Sequence, residues 1–207
     1  MPRAYRLGQR RAAIEETRAR ILAAAQEMLA MEPAPASFSV EAIARHADVS
    51  RMTVYYQFES RSGLLAALFD DLANRGHLAS DLPAAFSQPD PVTALQEFIR
   101  AFTRFWASSP PVMRRLYGFA TLDPELSQSL RQRNEGRTRG LRVILGRIAQ
   151  QHGRPDPAES DETVAALFML TSFATFDTLS ASELPADSIV SLVVRLALSH
   201  LGLEQLN

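Results

Sequence analysis

The 207-residue chain contains no cysteine and no lysine. Without a thiol there is no disulfide, no thiolate nucleophile and no thiolate metal site, which suits a reducing compartment. All 22 basic residues are therefore arginine, the better bidentate partner for phosphates and guanine edges, although a GC-rich coding bias explains the same usage. Net charge is nearly absent at -1, so no global basic field advertises nucleic acid. The imbalance along the chain is small: residues 1–61 carry nine Arg against seven acids, and the remainder thirteen against sixteen. No apolar run reaches the roughly 18 residues of a membrane span, and the N-terminus has no apolar h-region. The expectation is a soluble cytoplasmic protein. The four histidines are scattered, and no His-Glu-x-x-His, Gly-x-Ser-x-Gly or phosphate-loop pattern occurs. Catalytic residues, metals and cofactors are accordingly not expected.

What is present is apolar periodicity of the helical kind, with nothing that reads as a strand. Ile14, Ile21, Leu22, Ala25, Met28 and Leu29 predict a first helix from Ala12 to Ala30, ended by Pro33 and Pro35. Short helices follow over Val40–Ala47 and Arg51–Phe58, then a longer one from Arg61 to Leu78. The segment Ala79–Pro91, with three prolines, reads as the best internal boundary. Asp90 before Pro91 and Asp123 before Pro124 are cap-then-proline helix starts. They open helices to Ala107 and to about Gly153, with a short helix over Val112–Ala120 between them. Glu159–Ser180 and Ala186–Leu201 complete the set.

The most informative stretch is Ser39–Leu65. Ile43, Ala44 and Ala47 share one side of the first short helix, and Val54 and Phe58, four apart, share a face of the second. Asp48 occupies the intervening turn, where a left-handed backbone suits it, and Ser50 fits as the next N-cap. With Val54 and Phe58 inward, Met52 and Tyr56 fall on the opposite face, flanked by Thr53 and Tyr55. Met and Tyr suit a major groove better than water, where they can pack on thymine methyls while hydroxyls reach phosphates. Arg51 at the helix start has the reach for a guanine. Ser60 reads as the cap of the following helix, whose N–H groups and Arg61 face a phosphate.

These residues resemble the TetR/AcrR family of transcriptional regulators. The pairs and spacings Ile43-Ala44, Asp48-Val49-Ser50, Thr53-Val54-Tyr55-x-x-Phe58 and Ser60-Arg61-x-x-Leu64 are similar to the family pattern, as is Thr17-Arg18-x-x-Ile21-Leu22-x-Ala24-Ala25 before them. Asp48 stands where the family has Gly, and Arg61 where it has Lys. The resemblance implies an all-α fold. An N-terminal arm and three-helix DNA-binding domain with a helix-turn-helix would span 1–61, and a larger helical ligand-binding and dimerisation domain 62–207. It implies Arg51, Met52 and Tyr56 as base readers, and Thr53, Tyr55, Gln57 and Arg61 as phosphate contacts. Tyr55 reads equally as packing partly into the small domain. Arg3, Arg6, Arg10 and Arg11 read as a solvated tail without DNA, and as a minor-groove arm with it.

The last helix has a narrow polar stripe, Ser188, Ser191, Arg195 and Ser199, and is otherwise apolar. Such an arc has two surfaces to bury, and a twin subunit is the simplest second one. The resemblance implies a homodimer through the last two helices. Phe98, Phe102, Trp106, Met113, Tyr117, Phe168 and Phe173 read first as plain core. The resemblance implies instead that they line a cavity for a small apolar or amphipathic effector. Asp177 beside them either pairs with an Arg at the dimer interface or holds a cationic ligand. The implied function is a ligand-responsive repressor on a palindromic operator in double-stranded DNA. Effector binding would displace the helix containing Leu64 to Leu78. The alternative is a DNA-binding adapter that answers a protein partner.

Overall fold

The computed structural model describes residues 2–32, 38–152 and 160–203. The prolines expected to end the first helix, Pro33 and Pro35, and the helix start near Glu159 lie outside these residues. Among the described residues the fold is all-α. Its helices are α1 Pro2–Ala30, α2 Val40–His46, α3 Arg51–Phe58, α4 Arg61–Arg75, α5 Leu78–Phe86, α6 Pro91–Ala107, α7 Pro110–Ala120, α8 Pro124–His152, α9 Asp161–Leu170, α10 Phe173–Ser180 and α11 Ala186–His200. No single described helix is long and apolar enough to cross a membrane.

The chain forms two compact units, and neither is one continuous stretch: Met1–Asp71 with Arg114–Ser127, and Leu72–Met113 with Gln128–Asn207. In the first, Ile21, Ile43, Val54, Leu64, Leu65 and Leu68 are essentially sealed from solvent, together with Leu116 and Leu126 from the later segment. That segment is tied in by polar contacts as well. The Arg115 guanidinium donates to the Leu29 and Met31 carbonyls, which satisfies the open end of α1. In the second unit α6 is the central helix, packed by α5, α10 and α11. Phe98, Phe105, Leu95 and Ile99 form its buried face.

The capping chemistry explains the helix starts. Ser39, Ser50, Asp90, Ser160 and Ser172 each accept the N–H of the residue three positions on. Asp123 does the same for Leu126, at 3.0 Å.

Four elements differ from the sequence expectation. The first helix begins at Pro2, so the arginines read as a tail belong to a helical segment rich in the strong helix formers Ala, Arg, Glu and Gln. The helix expected to run from Arg61 to Leu78 stops at Arg75, because His77 turns to φ 61°. At this corner a Cβ on Gly76 would stand 3.2 Å from the Phe105 ring, a close approach that glycine permits. The proline-rich boundary contains α5, in which Pro83 faces solvent while Ala85 is buried. Finally, the helix expected to end at Ser180 is broken at Thr171-Ser172, with α9 and α10 bent by 44°. Ser172 caps the new helix, and the Thr171 carbonyl freed by the break accepts from Trp106 Nε1 at 3.0 Å and Arg137 Nη1 at 3.2 Å.

Candidate nucleic-acid interface

The α2–α3 pair is fixed from inside. Ile43 is fully buried, and Val54 and Phe58 are buried to within 5%. Asp48 adopts φ 50°, the left-handed turn conformation between the two helices. At the other end of α3, Glu59 is also left-handed at φ 66°, and its N–H donates to the Tyr55 carbonyl at 2.8 Å. Arg18 from α1 anchors this end. Its guanidinium lies 4.4 Å from the Phe58 ring centroid and donates to the Gln57 carbonyl at 2.9 Å. The chain then folds so tightly into α4 that a Cβ on Gly63 would stand 2.2 Å from the Phe58 carbonyl oxygen.

Locking the inner face presents the outer one. Met52 is 73% exposed and Tyr56 79%. Arg51 is exposed, and Thr53, Tyr55 and Gln57 are half-buried on the flanks. Arg51 is held in place before any partner arrives. It pairs with Glu41 of α2 at 2.8 Å and donates to the Tyr55 hydroxyl at 3.3 Å. The Glu41 carboxyl is held below its ordinary value by its own backbone N–H and then by Arg51. Such an exposed pair is weak and exchangeable, so it orients Arg51 without committing it.

Arg61 has a second occupation that the sequence did not reveal. Its guanidinium stacks 4.5 Å from Phe119 and 5.5 Å from Phe38, and lies 3.9 Å from Asp123. Around it Ser60 donates to Glu125 at 3.0 Å and Ser62 donates to Asp123 at 2.7 Å. The start of α4 is thus engaged by two carboxylates of the α7–α8 corner. Ser60 also caps it, accepting the Gly63 N–H at 2.8 Å.

This geometry, a short buried-faced helix crossing a second one whose outer face carries Arg, Met and Tyr, coincides with a family match. Residues 21–68 match the bacterial regulatory proteins of the tetR family. Over these residues the chain is similar to the TetR family. The HTH-type transcriptional regulator EthR of Mycolicibacterium smegmatis is 32% identical over 100 residues, which is 48% of this chain and 46% of EthR. The match therefore spans less than half of that relative. A TetR-family structure from Rhodococcus sp. aligns at TM-score 0.68 and 19% identity, over 86% of this chain and 95% of its own. FadR from Bacillus subtilis in complex with stearoyl-CoA aligns at 0.68 and 19%, over 88% and 98%. A TetR regulator from Haloarcula marismortui aligns at 0.67 and 17%, over 90% and 96%. At these identities the solved structures establish the TetR-family fold, and EthR is named as a regulator rather than an enzyme.

The residues expected around an effector are not gathered on one cavity. Phe98, Phe102, Trp106, Met113 and Phe173 are all at least 94% buried. They pack largely on one another, with ring centroids 4.9 Å apart for Phe98–Phe102, 6.0 Å for Phe102–Trp106 and 5.7 Å for Trp106–Phe173. Tyr117 is half-buried in the segment that joins the first unit, and Asp177 is half-buried on α10. Phe168, of this set, lines an open cleft of about 480 Å³ along α8. A Cβ on Gly140 would meet Phe86 at 3.0 Å and Phe98 at 3.1 Å, whereas Gly136 is exposed and would meet only the Arg139 side chain, at 3.8 Å.

Proposed function

We propose that this protein is a TetR-family DNA-binding transcriptional regulator of the cytoplasm. It acts as a homodimer on a palindromic operator and is a repressor released by a small apolar or amphipathic effector. The observation that carries DNA binding is the outer face of α3, where Met52 and Tyr56 stand 73% and 79% exposed on a helix whose other face is sealed. Apolar and aromatic groups so presented are costly in water and useful against base edges. Arg51, Met52 and Tyr56 read bases; Thr53, Tyr55, Gln57 and Arg61 contact phosphates.

One short helix covers only a few base pairs, so genomic specificity calls for two, roughly 34 to 36 Å apart or a multiple of that. Exposed Leu196 on α11 and Met169 on α9 support a twin subunit as the partner of the last helices. An effector needs only to favour the non-binding state, and a preference of ~3 kcal/mol shifts the equilibrium about a hundredfold. The cleft along α8 supports the effector reading. The filled aromatic core around Trp106 supports the alternative, a regulator that answers a protein partner.

Selection of genomic fragments by the purified protein tests the proposal. A single inverted repeat recovered with wild type, and lost with the double variant M52A/Y56A, is the expected result. Recovery of fragments with no shared sequence would overturn it.

A further inference from the structure

The helices α2 and α3 meet at an ion pair as well as in their buried core. Glu41, exposed in the first turn of α2, places Oε1 2.8 Å from Nη1 of Arg51, the first residue of α3. Nη2 of the same guanidinium donates to the Tyr55 hydroxyl at 3.3 Å, and the Tyr55 ring centroid lies 5.2 Å from Cζ. Arg51 is thus held at both terminal nitrogens. Arg45, one turn further along α2, also draws on the Glu41 carboxylate, with a smaller influence than Arg51. The Arg51 and Glu41 side chains stay 58% and 50% exposed, so the pair lies on the surface that carries Met52 and Tyr56.

We propose that Glu41 is a specificity-determining residue, which neutralises Arg51 across the α2–α3 joint and so withholds that guanidinium from phosphates while leaving it able to read a guanine. The proposal rests on the DNA-binding reading above and adds a positioning residue to it. An unpaired arginine facing a duplex is drawn to the nearest phosphate, a contact that carries no sequence information. Paired with a carboxylate, the guanidinium is neutral as a unit and still has donors to offer. It has five N–H groups, and three remain beyond the bonds to Glu41 and Tyr55. The O6 and N7 atoms of guanine require two donors in parallel and no net charge. In water the pair is weak, and against a groove wall that excludes water it strengthens.

The test compares full-length wild type, E41Q, R51A and R51A/E41Q on three duplexes. One carries the selected inverted repeat, one has A·T in place of the G·C pair at which R51A loses preference, and one is scrambled. E41Q is expected to bind the scrambled duplex at least about threefold tighter in low salt, with a logarithmic salt slope steeper by about 0.9, because Arg51 then takes a phosphate. Its discrimination between the first two duplexes is expected to fall at least about fivefold. In the R51A background the Glu41 substitution is expected to leave base preference unchanged. E41Q that tightens or weakens all three duplexes alike would overturn the proposal, since loss of a repelling charge or damage to α2 acts on every sequence. A loss of base preference that persists without Arg51 would also overturn it. Wild type with no preference among the duplexes sinks the DNA-binding reading itself, and this proposal with it. Wild-type preference that E41Q leaves intact keeps that reading and removes the role of Glu41.

Discussion

The Ser62 hydroxyl donates to the Asp123 carboxylate at 2.7 Å, so a residue of the first turn of α4 is bonded to the residue that caps α8. Burial pushes the Asp123 carboxyl upward. The Leu126 N–H, the Ser62 hydroxyl and Arg61 outweigh it, and the net value lies below the ordinary one. A folded-state value below the unfolded one gives stability that is complete above the unfolded carboxylate value of about 4. That stability disappears as pH falls through the folded value. D123N is therefore expected to lower stability at pH 7 by about 1.5 kcal/mol, with the gap to wild type closing toward pH 3. Urea midpoints at pH 7, 5 and 3 measure it. A gap that stays constant with pH would show that the charge of Asp123 is not what matters.

Arg51 and Arg61 are expected to behave differently toward DNA. Arg51 is exposed and held by Glu41 and Tyr55, so R51A should relax preference at one operator position by about 1 to 3 kcal/mol. R61A should weaken all sequences alike and lower the salt slope by about 1. Because Arg61 also stacks on Phe119 and Phe38, R61A should in addition lower the melting temperature, which R51A should not. Salt-titrated binding to a selected and a scrambled duplex, with melting curves on the same proteins, separates these effects.

The helix-turn-helix was legible because each of its instructions is local. Ser50 as cap, Asp48 in the turn, and Val54 and Phe58 four residues apart are all decided within one or two turns of helix. What was not legible depends on partners distant in sequence. Asp123 and Glu125 reach Ser62 and Ser60 across 61 and 65 residues, and no periodicity encodes that meeting. The break at Thr171-Ser172 was hidden because Thr and Ser also occur within helices. Its stabilisation comes from Trp106 and Arg137, on two other helices. Arg137 itself carries no sequence signal, since one more arginine on a long polar helix reads as surface. Pro83 misled for the opposite reason. It forfeits one backbone bond of a short helix and faces solvent, a cost the packing of α5 on α6 offsets.

Two glycines should respond in opposite directions to the same substitution. A Cβ at Gly63 would stand 2.2 Å from the Phe58 carbonyl oxygen, a backbone atom that cannot move aside without displacing the end of α3. G63A is expected to cost about 1 to 3 kcal/mol and to weaken DNA binding by misplacing Tyr56. Gly118, inside α7, has nothing within 4 Å of a new Cβ. G118A should therefore raise stability by up to about 1 kcal/mol through helix propensity alone. Thermal unfolding of both variants beside wild type checks the pair, and equal effects would contradict the tight turn at Gly63.

The surface of the last helices makes the final prediction. On α11, Ile189, Val193 and Ala197 are buried to within 2% in their own unit, while Leu196 is 44% exposed beside half-buried Leu192 and Val194. Met169 on α9, a helix packed against α11, is 58% exposed. A helix that has already filled its own core and still presents leucine has a second apolar surface to cover. If a twin subunit covers it, L196E buries a carboxylate at the centre of the interface and should dissociate the dimer while leaving the monomer folded. Sedimentation velocity at micromolar protein is expected to show a dimer for wild type and a monomer of unchanged helicity for L196E. The same variant should lose most of its affinity for the full inverted repeat and keep its weak affinity for a half-site, because two α3 helices then no longer bind as one body. A dimer that survives both L196E and M169E would move the interface elsewhere on the molecule.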